Sequence, residues 1–235
     1  YEYNVYEYQK DFLKVYTDIK KRGNLPLMCG GTGMYIEAIL KAYKLINVPP
    51  DPKLRKSLEK MSQEQLTEKL ASYKNLHNTT DITSRKRLFR AIEIEEYYKK
   101  QKHSDDLFPE LKYILLGIKF DRESRRKRIT ERLKERLSSG MIEETEALLK
   151  SGINSEKLIY YGLEYKYLTL YIQGKLSYED MFERLNTAIH QFAKRQMTWF
   201  RKMEREGSKI HWIDGYEPME RKLERSLKLI DNFKY

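Results

Sequence analysis

The chain has 235 residues, 40% hydrophobic and 34% charged, enough to bury one substantial core or one core with a smaller appended lobe. Its 46 Lys and Arg against 35 Asp and Glu leave a net charge of +11, which favours a polyanionic partner but also fits mere solubility. The single cysteine, Cys29, excludes an internal disulfide, the four histidines (His77, His103, His190, His211) share no metal-ligand spacing, and no apolar run is long enough to span a bilayer. A lone cysteine and no visible secretory signal fit a reducing, cytoplasmic setting. The chain opens on Tyr1 rather than Met, so a native N-terminal segment is expected to be missing.

Asn4 and Glu7 form a capping pair ahead of a helix with Phe12, Val15, Tyr16 and Ile19 on one face, and Gly23 suits its end. Leu25 to Cys29 reads as a short buried strand, Gly30-Gly31-Thr32-Gly33 as a loop, and Met34 to about Ala42 as a helix; this succession is an α/β signature. From about Asn47 to Lys102 helix signals dominate. Asp51 caps a helix with Pro52 at its first position and Leu54, Leu58 and Met61 on one face. Ser62 and Gln65 make a capping box before Leu66, Leu70 and Tyr73, and a third helix is expected from about Ser84 to Lys100. Lys112 to Lys119 is apolar like a buried parallel strand. A helix follows from about Arg122 to Ser139, breaks at Gly140 and gives way to another ending at Lys150. Ser177 and Asp180 open a long helix to about Glu206, Lys209 to Ile213 reads as a last strand, and the charged tail from Glu217 is helical. The expected fold class is α/β, with a core and C-terminal helices over 1–46 and 108–235 and a helical insertion over 47–107.

Four segments carry possible chemistry. Glycines at 30, 31 and 33 let a ligand approach the backbone where a helix N-terminus offers free N–H groups, although on these residues alone a plain strand-to-helix turn is the better reading. Arg122, Arg125, Arg128, Arg132 and Arg136 share one helical stripe whose forks suit phosphate oxygens; for Arg125 and Arg136 a solvated face is the better reading. Arg85-Lys86-Arg87-Leu88-Phe89-Arg90 puts Lys86 and Arg90 on one face while Leu88, Ala91 and Ile92 pack inward. Lys194-Arg195-Gln196-Met197-Thr198-Trp199-Phe200-Arg201-Lys202 mixes cations, amide, hydroxyl and aromatics, as RNA recognition requires, although Trp199 and Phe200 in isolation suit a core. No G-x-x-x-x-G-K-[ST] loop, Ser/His/Asp order or paired-carboxylate motif is present.

Taken in order, these segments resemble the tRNA dimethylallyltransferase (isopentenyltransferase) family. Leu25-Pro26 through Gly30-Gly31-Thr32-Gly33-Met34-Tyr35 is similar to its L-P-x-x-x-G-G-T-G-x-Y segment, and Arg87-Leu88-x-Arg90-Ala91-x-Glu93 to its R-x-x-R-A-L-E helix. Arg128-Ile129-x-x-Arg132 matches R-I-x-x-R, and Ala193-Lys194-Arg195-Gln196-x-Thr198-Trp199-Phe200-Arg201 matches A-K-R-Q-x-T-W-x-R. The resemblance implies a truncated P-loop-type parallel-sheet core and transfer of a dimethylallyl group from dimethylallyl diphosphate to an adenine beside the anticodon, extruded into a channel. It implies that Thr32 contacts the target nucleotide, that Gly30, Gly31 and Thr32 bind phosphate, and that Arg128 or Arg132 faces the pyrophosphate. It implies magnesium, with its main ligands outside this chain. Arg55, the run Lys86, Arg87, Leu88, Phe89 and Arg90, and the run Lys194, Arg195, Gln196, Met197, Thr198, Trp199, Phe200 and Arg201 would hold the anticodon stem-loop. The family's phosphate loop and its D-S-x-Q aspartate, a general base, would precede Tyr1. Its G-Y-[KR]-[EQ] contact is altered: alignment through Tyr171 and Gly174 puts Tyr165 and Lys166 at Y-[KR] and Glu164 at the glycine. A monomer with no membrane partner, which binds stem-loop RNA but turns over poorly, is expected. A non-catalytic RNA-binding module is the alternative; a nucleotide kinase gives the Arg87–Glu93 and Lys194–Arg201 helices no role.

Overall fold

The computed structural model describes residues 3–43, 45, 47–76, 82–100, 108–109 and 111–233. Its helices in chain order are α1 (Val5–Lys21), α2 (Gly33–Leu40), α3 (Pro52–Leu58), α4 (Gln63–Ala71), α5 (Arg85–Lys100), α6 (Arg122–Arg136), α7 (Ile142–Lys150), α8 (Ser155–Tyr161), α9 (Leu163–Ile172), α10 (Tyr178–Arg205) and α11 (Met219–Asp231). Strands β1 (Leu115–Lys119) and β2 (Ile210–Asp214) pair in parallel, with Gly117 opposite Trp212. The chain forms two compact units: Tyr1–Pro26 with Lys41–Glu110, and Leu27–Leu40 with Leu111–Tyr235. These units divide the chain at other points than the expected domains, since α1 groups with the helices after residue 41. Gln9 is buried and its side chain donates to the Tyr43 carbonyl at 2.9 Å, which ties α1 to that group.

In the first unit the local signals work as written. The Asn4 side chain accepts from the backbone N–H groups of Tyr6 and Glu7, and Glu7 reaches back to the Asn4 N–H. Asp51 caps α3, and Ser62 and Gln65 cap α4 reciprocally. The apolar faces of α3, α4 and α5 then meet. Leu58, Leu66, Leu70, Leu88, Ala91 and Ile92 form the core, with Leu54, Met61, Tyr73 and Phe89 around it. Arg85 donates to the Glu59 and Met61 carbonyls and so closes the open end of α3.

In the second unit α6, α7, α9 and α10 enclose Leu133, Leu137, Met141, Leu168, Met181 and Leu185. A kink within Leu137–Met141 separates α6 from α7: Ser139 leaves the helical region and Gly140 sits at φ 96, a conformation that costs glycine little. The expected strand over Leu25–Cys29 does not form. Leu25 is 50% and Leu27 83% exposed, and the sheet of the described residues is β1 and β2 alone, so no ladder draws these side chains inward. β1 exists but is not buried throughout, since Ile118 is 52% exposed. Helices α8 and α9 have no counterpart in the sequence reading, although Asn154 caps α8 by accepting from the Glu156 N–H. His77 and His103 lie outside the described residues.

Where α6 crosses α10, the Thr130 hydroxyl lies 3.0 Å from both Asn186 Oδ1 and His190 Nε2. His190 Nδ1 is buried without a hydrogen-bond partner. Burial, and then the charge of Arg126, lowers the His190 pKa, so the unfolded chain takes up this proton at a higher pH than the folded one. Stability is therefore expected to fall as pH drops through the ordinary histidine value toward the lowered folded one. Melting curves across that window test this, and His190→Gln is expected to flatten the dependence.

Candidate functional site

The glycine loop is held by α10. The Thr32 carbonyl accepts from the N–H groups of Tyr35 and Ile36, so Thr32 stands at the start of α2 with its residue exposed. Buried Ala38 and Ile39 anchor that helix. The Gly31 carbonyl accepts from Gln196 Nε2 at 2.9 Å. Gly33 is buried, and a Cβ there would lie 2.5 to 2.9 Å from Trp199 side-chain atoms. Only a residue without a side chain fits. The ammonium of Lys202 lies 5.0 Å from the centre of the Trp199 ring and 3.3 and 3.4 Å from the two oxygens of Glu37, which is fully buried on α2. Gln196, Trp199 and Lys202 thus form the loop-facing side of α10, at i, i+3 and i+6. The Trp199 indole N–H is buried with no acceptor.

Other residues of the same run point elsewhere. Lys194, Thr198 and Arg201, at i, i+4 and i+7, are exposed and make a polar, cationic stripe along α10. The Thr198 hydroxyl donates to the Lys194 carbonyl, and Arg195, also exposed, stands 5.8 Å from the Phe192 ring. Met197 is half-buried, and Phe200 meets Trp212 edge-on at 6.5 Å.

A second constellation sits at the carboxyl ends of β1 and β2, where open parallel sheets place their ligands. The Gly215 N–H donates to the Lys119 carbonyl at 2.8 Å, and a Cβ on Gly215 would lie 2.5 to 2.6 Å from Phe120 ring atoms. Phe120 packs edge-on against Tyr216 at 5.3 Å, and the Arg128 guanidinium lies 4.6 Å from the Phe120 ring centre. Asp121 caps α6 by accepting from the Ser124 N–H. The Tyr216 hydroxyl, and then the Ser124 N–H, hold its carboxyl down at about 2. Arg132, a turn beyond Arg128, is exposed, whereas Arg136 lies 3.9 Å from Glu164 and Arg125 is half-buried. Phe120, Asp121, Gly215 and Tyr216 carry no motif of their own in the sequence; their only local signal is that each pair directly follows an apolar strand.

In the first unit, Arg55 meets Glu93 with both edges of a fork, Nε to Oε1 at 2.6 Å and Nη2 to Oε2 at 2.8 Å. Arg90 donates to Glu93 Oε2 at 3.4 Å and to the Val48 carbonyl at 2.8 Å. Lys86 and Arg87 are exposed, and Arg87 donates to Thr83 Oγ1. Leu88 is fully buried in the core, so it cannot touch RNA, and Phe89 packs beside that core with the Arg85 guanidinium 5.4 Å from its ring. In the second unit the Tyr165 hydroxyl donates to Glu144 at 2.9 Å, a bond that with burial raises its pKa, and Lys166 lies 5.2 Å from the Tyr167 ring. Among the described residues no group of three or more His, Cys, Asp or Glu is arranged to hold a metal ion, so they do not offer magnesium a protein cage.

The family model described as "IPP transferase" matches residues 1–203. The tRNA dimethylallyltransferase 1 of Parabacteroides distasonis is 55% identical over 232 residues, covering 99% of this chain and 76% of that protein. The tRNA dimethylallyltransferase 2 of Bacteroides fragilis is 58% identical over 223 residues, covering 95% of this chain and 73% of that protein. The crystal structure of the tRNA delta(2)-isopentenylpyrophosphate transferase of Staphylococcus epidermidis superposes with a TM-score of 0.64 at 28% identity, covering all of this chain and 78% of that one. The chain belongs to the IPP transferase family.

The Gly33–Trp199 contact predicts a specific coupling. Gly33→Ala is expected to destabilise the protein by about 1–3 kcal/mol through overpacking. Trp199→Leu in the same chain is expected to relieve part of that loss. A double-mutant cycle from denaturation curves checks this; strictly additive effects would contradict the contact.

Proposed function

We propose that this member of the IPP transferase family transfers a dimethylallyl group from dimethylallyl diphosphate to the exocyclic N6 of the adenine beside the anticodon in tRNA. The observation that carries the reading is the union of the glycine loop with the cationic helix, through Gln196 on Gly31 and Trp199 on Gly33. One rigid contact thereby presents an anion-binding helix start and an RNA-binding stripe together.

In this reading the allylic C–O bond breaks, a C–N bond forms at N6, N6 gives up a proton to solvent and pyrophosphate departs with the electron pair. Thr32 touches the target nucleotide at the exposed start of α2, while the backbone of Gly30 and Gly31 meets phosphate oxygens. Arg128, oriented by the Phe120 ring, and Arg132 stabilise the charge that grows on the leaving pyrophosphate. Lys194, Arg195, Thr198 and Arg201 hold the stem-loop backbone, with Arg55, Lys86, Arg87, Arg90, Tyr165 and Lys166 as further contacts. Gln196 and Trp199 act from beneath, by fixing the loop. Magnesium, which the family implies, would neutralise charge on the diphosphate.

The test is prenyl transfer to a stem-loop RNA, read by mass spectrometry. Slow formation of product is expected with adenine beside the anticodon and none with guanine there; equal product on both RNAs would contradict the reading. Arg128→Gln is expected to slow transfer by about 100-fold, and an unchanged rate removes Arg128 from the pyrophosphate role. Stem-loop affinity should fall linearly in log–log terms as salt rises, and Arg201→Gln should shallow that slope by about 0.7–0.9.

A further inference from the structure

Glu93 is the centre of a charge cluster in the first unit. Its carboxylate is almost wholly buried, yet each oxygen has partners. Oε1 accepts from the Asp51 N–H at 3.0 Å and from Arg55 Nε; Oε2 accepts from Arg55 Nη2 and Arg90 Nη1. Burial alone would raise the carboxyl pKa, but the bonds from Arg55, Asp51 and Arg90 outweigh it and hold the group below its ordinary range. One negative charge thus faces two positive ones. The excess is not buried with it: the Arg55 and Arg90 side chains remain 41% and 42% exposed.

The geometry decides which donors remain. Arg55 spends its Nε–Nη2 edge on Glu93, which leaves its Nη1 side without a partner among the described residues. Arg90 spends one Nη2 hydrogen on the Val48 carbonyl and one Nη1 hydrogen on Glu93. Both planes are fixed before any ligand arrives. A free arginine must lose side-chain entropy to fork a phosphate, whereas these two have lost it already on folding. A pair of oriented guanidinium groups with surplus positive charge is matched to a phosphodiester oxygen pair.

We infer that Glu93 is a positioning residue that holds Arg55 and Arg90 as one preorganised clamp for an RNA backbone phosphate. The inference rests on the RNA-binding part of the function proposed above and adds the residue that orients the contact. It opposes simple electrostatics, because Glu93 repels phosphate as a charge and helps bind it as an organiser.

Fluorescence anisotropy with a labelled anticodon stem-loop, titrated against the whole chain at several salt concentrations, tests this. Glu93→Gln removes a negative charge, so bulk electrostatics predicts tighter binding; the clamp predicts binding about fivefold weaker. Arg55→Lys and Arg90→Lys keep the charge and an ion pair to Glu93 but lose the fork. Each is expected to bind about fivefold more weakly at an unchanged salt slope and a near-unchanged melting temperature, which a purely structural role would not produce. Should Glu93→Gln fail to fold, the two lysine variants decide alone. Wild-type protein that binds the stem-loop while the lysine variants bind as tightly overturns the clamp and leaves the function standing. Wild-type protein that does not bind the stem-loop overturns both.

Discussion

A carboxylate cut off from water must find cations, and each unit is organised around one that has done so. Glu37 sits on α2 with no exposed surface and takes the Lys202 ammonium. Glu93 sits on α5 and takes two guanidinium groups and a backbone N–H. Such pairs are poor evidence of net stability, because desolvation consumes much of their attraction. Their effect is geometric. Lys202 lies within ion-pair reach of both Glu37 and Glu206, which holds its ammonium beside the Trp199 ring, and Trp199 fills the space that Gly33 leaves open. The contacts that hold the glycine loop therefore lie beside this ion pair, through Gln196 on Gly31 and Trp199 on Gly33.

The same constraint sharpens the meaning of the net charge of +11. Some cations are committed inside the molecule, as Lys202 is to Glu37, or outside it to a neighbour, as Arg136 is to Glu164 and Arg22 to Asp18. Lys194 and Arg201 lie exposed on α10, and Arg128 is turned onto an aromatic ring. A cation–π contact orients a guanidinium without cancelling its charge. Composition raises the possibility of a polyanionic partner; the division between neutralised and oriented cations says where on each unit such a partner could be received.

What the sequence discloses here is what chemistry within a few residues decides. The caps at Asn4, Asp51, Ser62 and Ser177 each need only a side chain and an N–H two or three residues on, and each forms. The inward faces of α3 to α5 need only the helical period. Leu25–Cys29 fails as a strand because strand formation depends on a neighbour that local pattern cannot supply. The site divides in the same way. The glycine loop and the Lys194–Arg201 run are legible as motifs, but the sorting of that run into Gln196 and Trp199 beneath the loop and Lys194, Thr198 and Arg201 at the surface depends on packing across 165 residues of chain. Leu88 lies inside a basic motif and is a core residue, and Phe120 with Gly215 becomes a pair only once β1 and β2 are aligned.

The seating of Trp199 against Gly33 also constrains how such a chain can diverge. With a Cβ forbidden at one position while the indole occupies the other, neither residue can change alone without a loss in packing. A lineage could shrink the ring first and then be free to vary the glycine, but the reverse order passes through a strained intermediate. The two positions, far apart along the gene, are in effect a single inherited character with a preferred order of mutation.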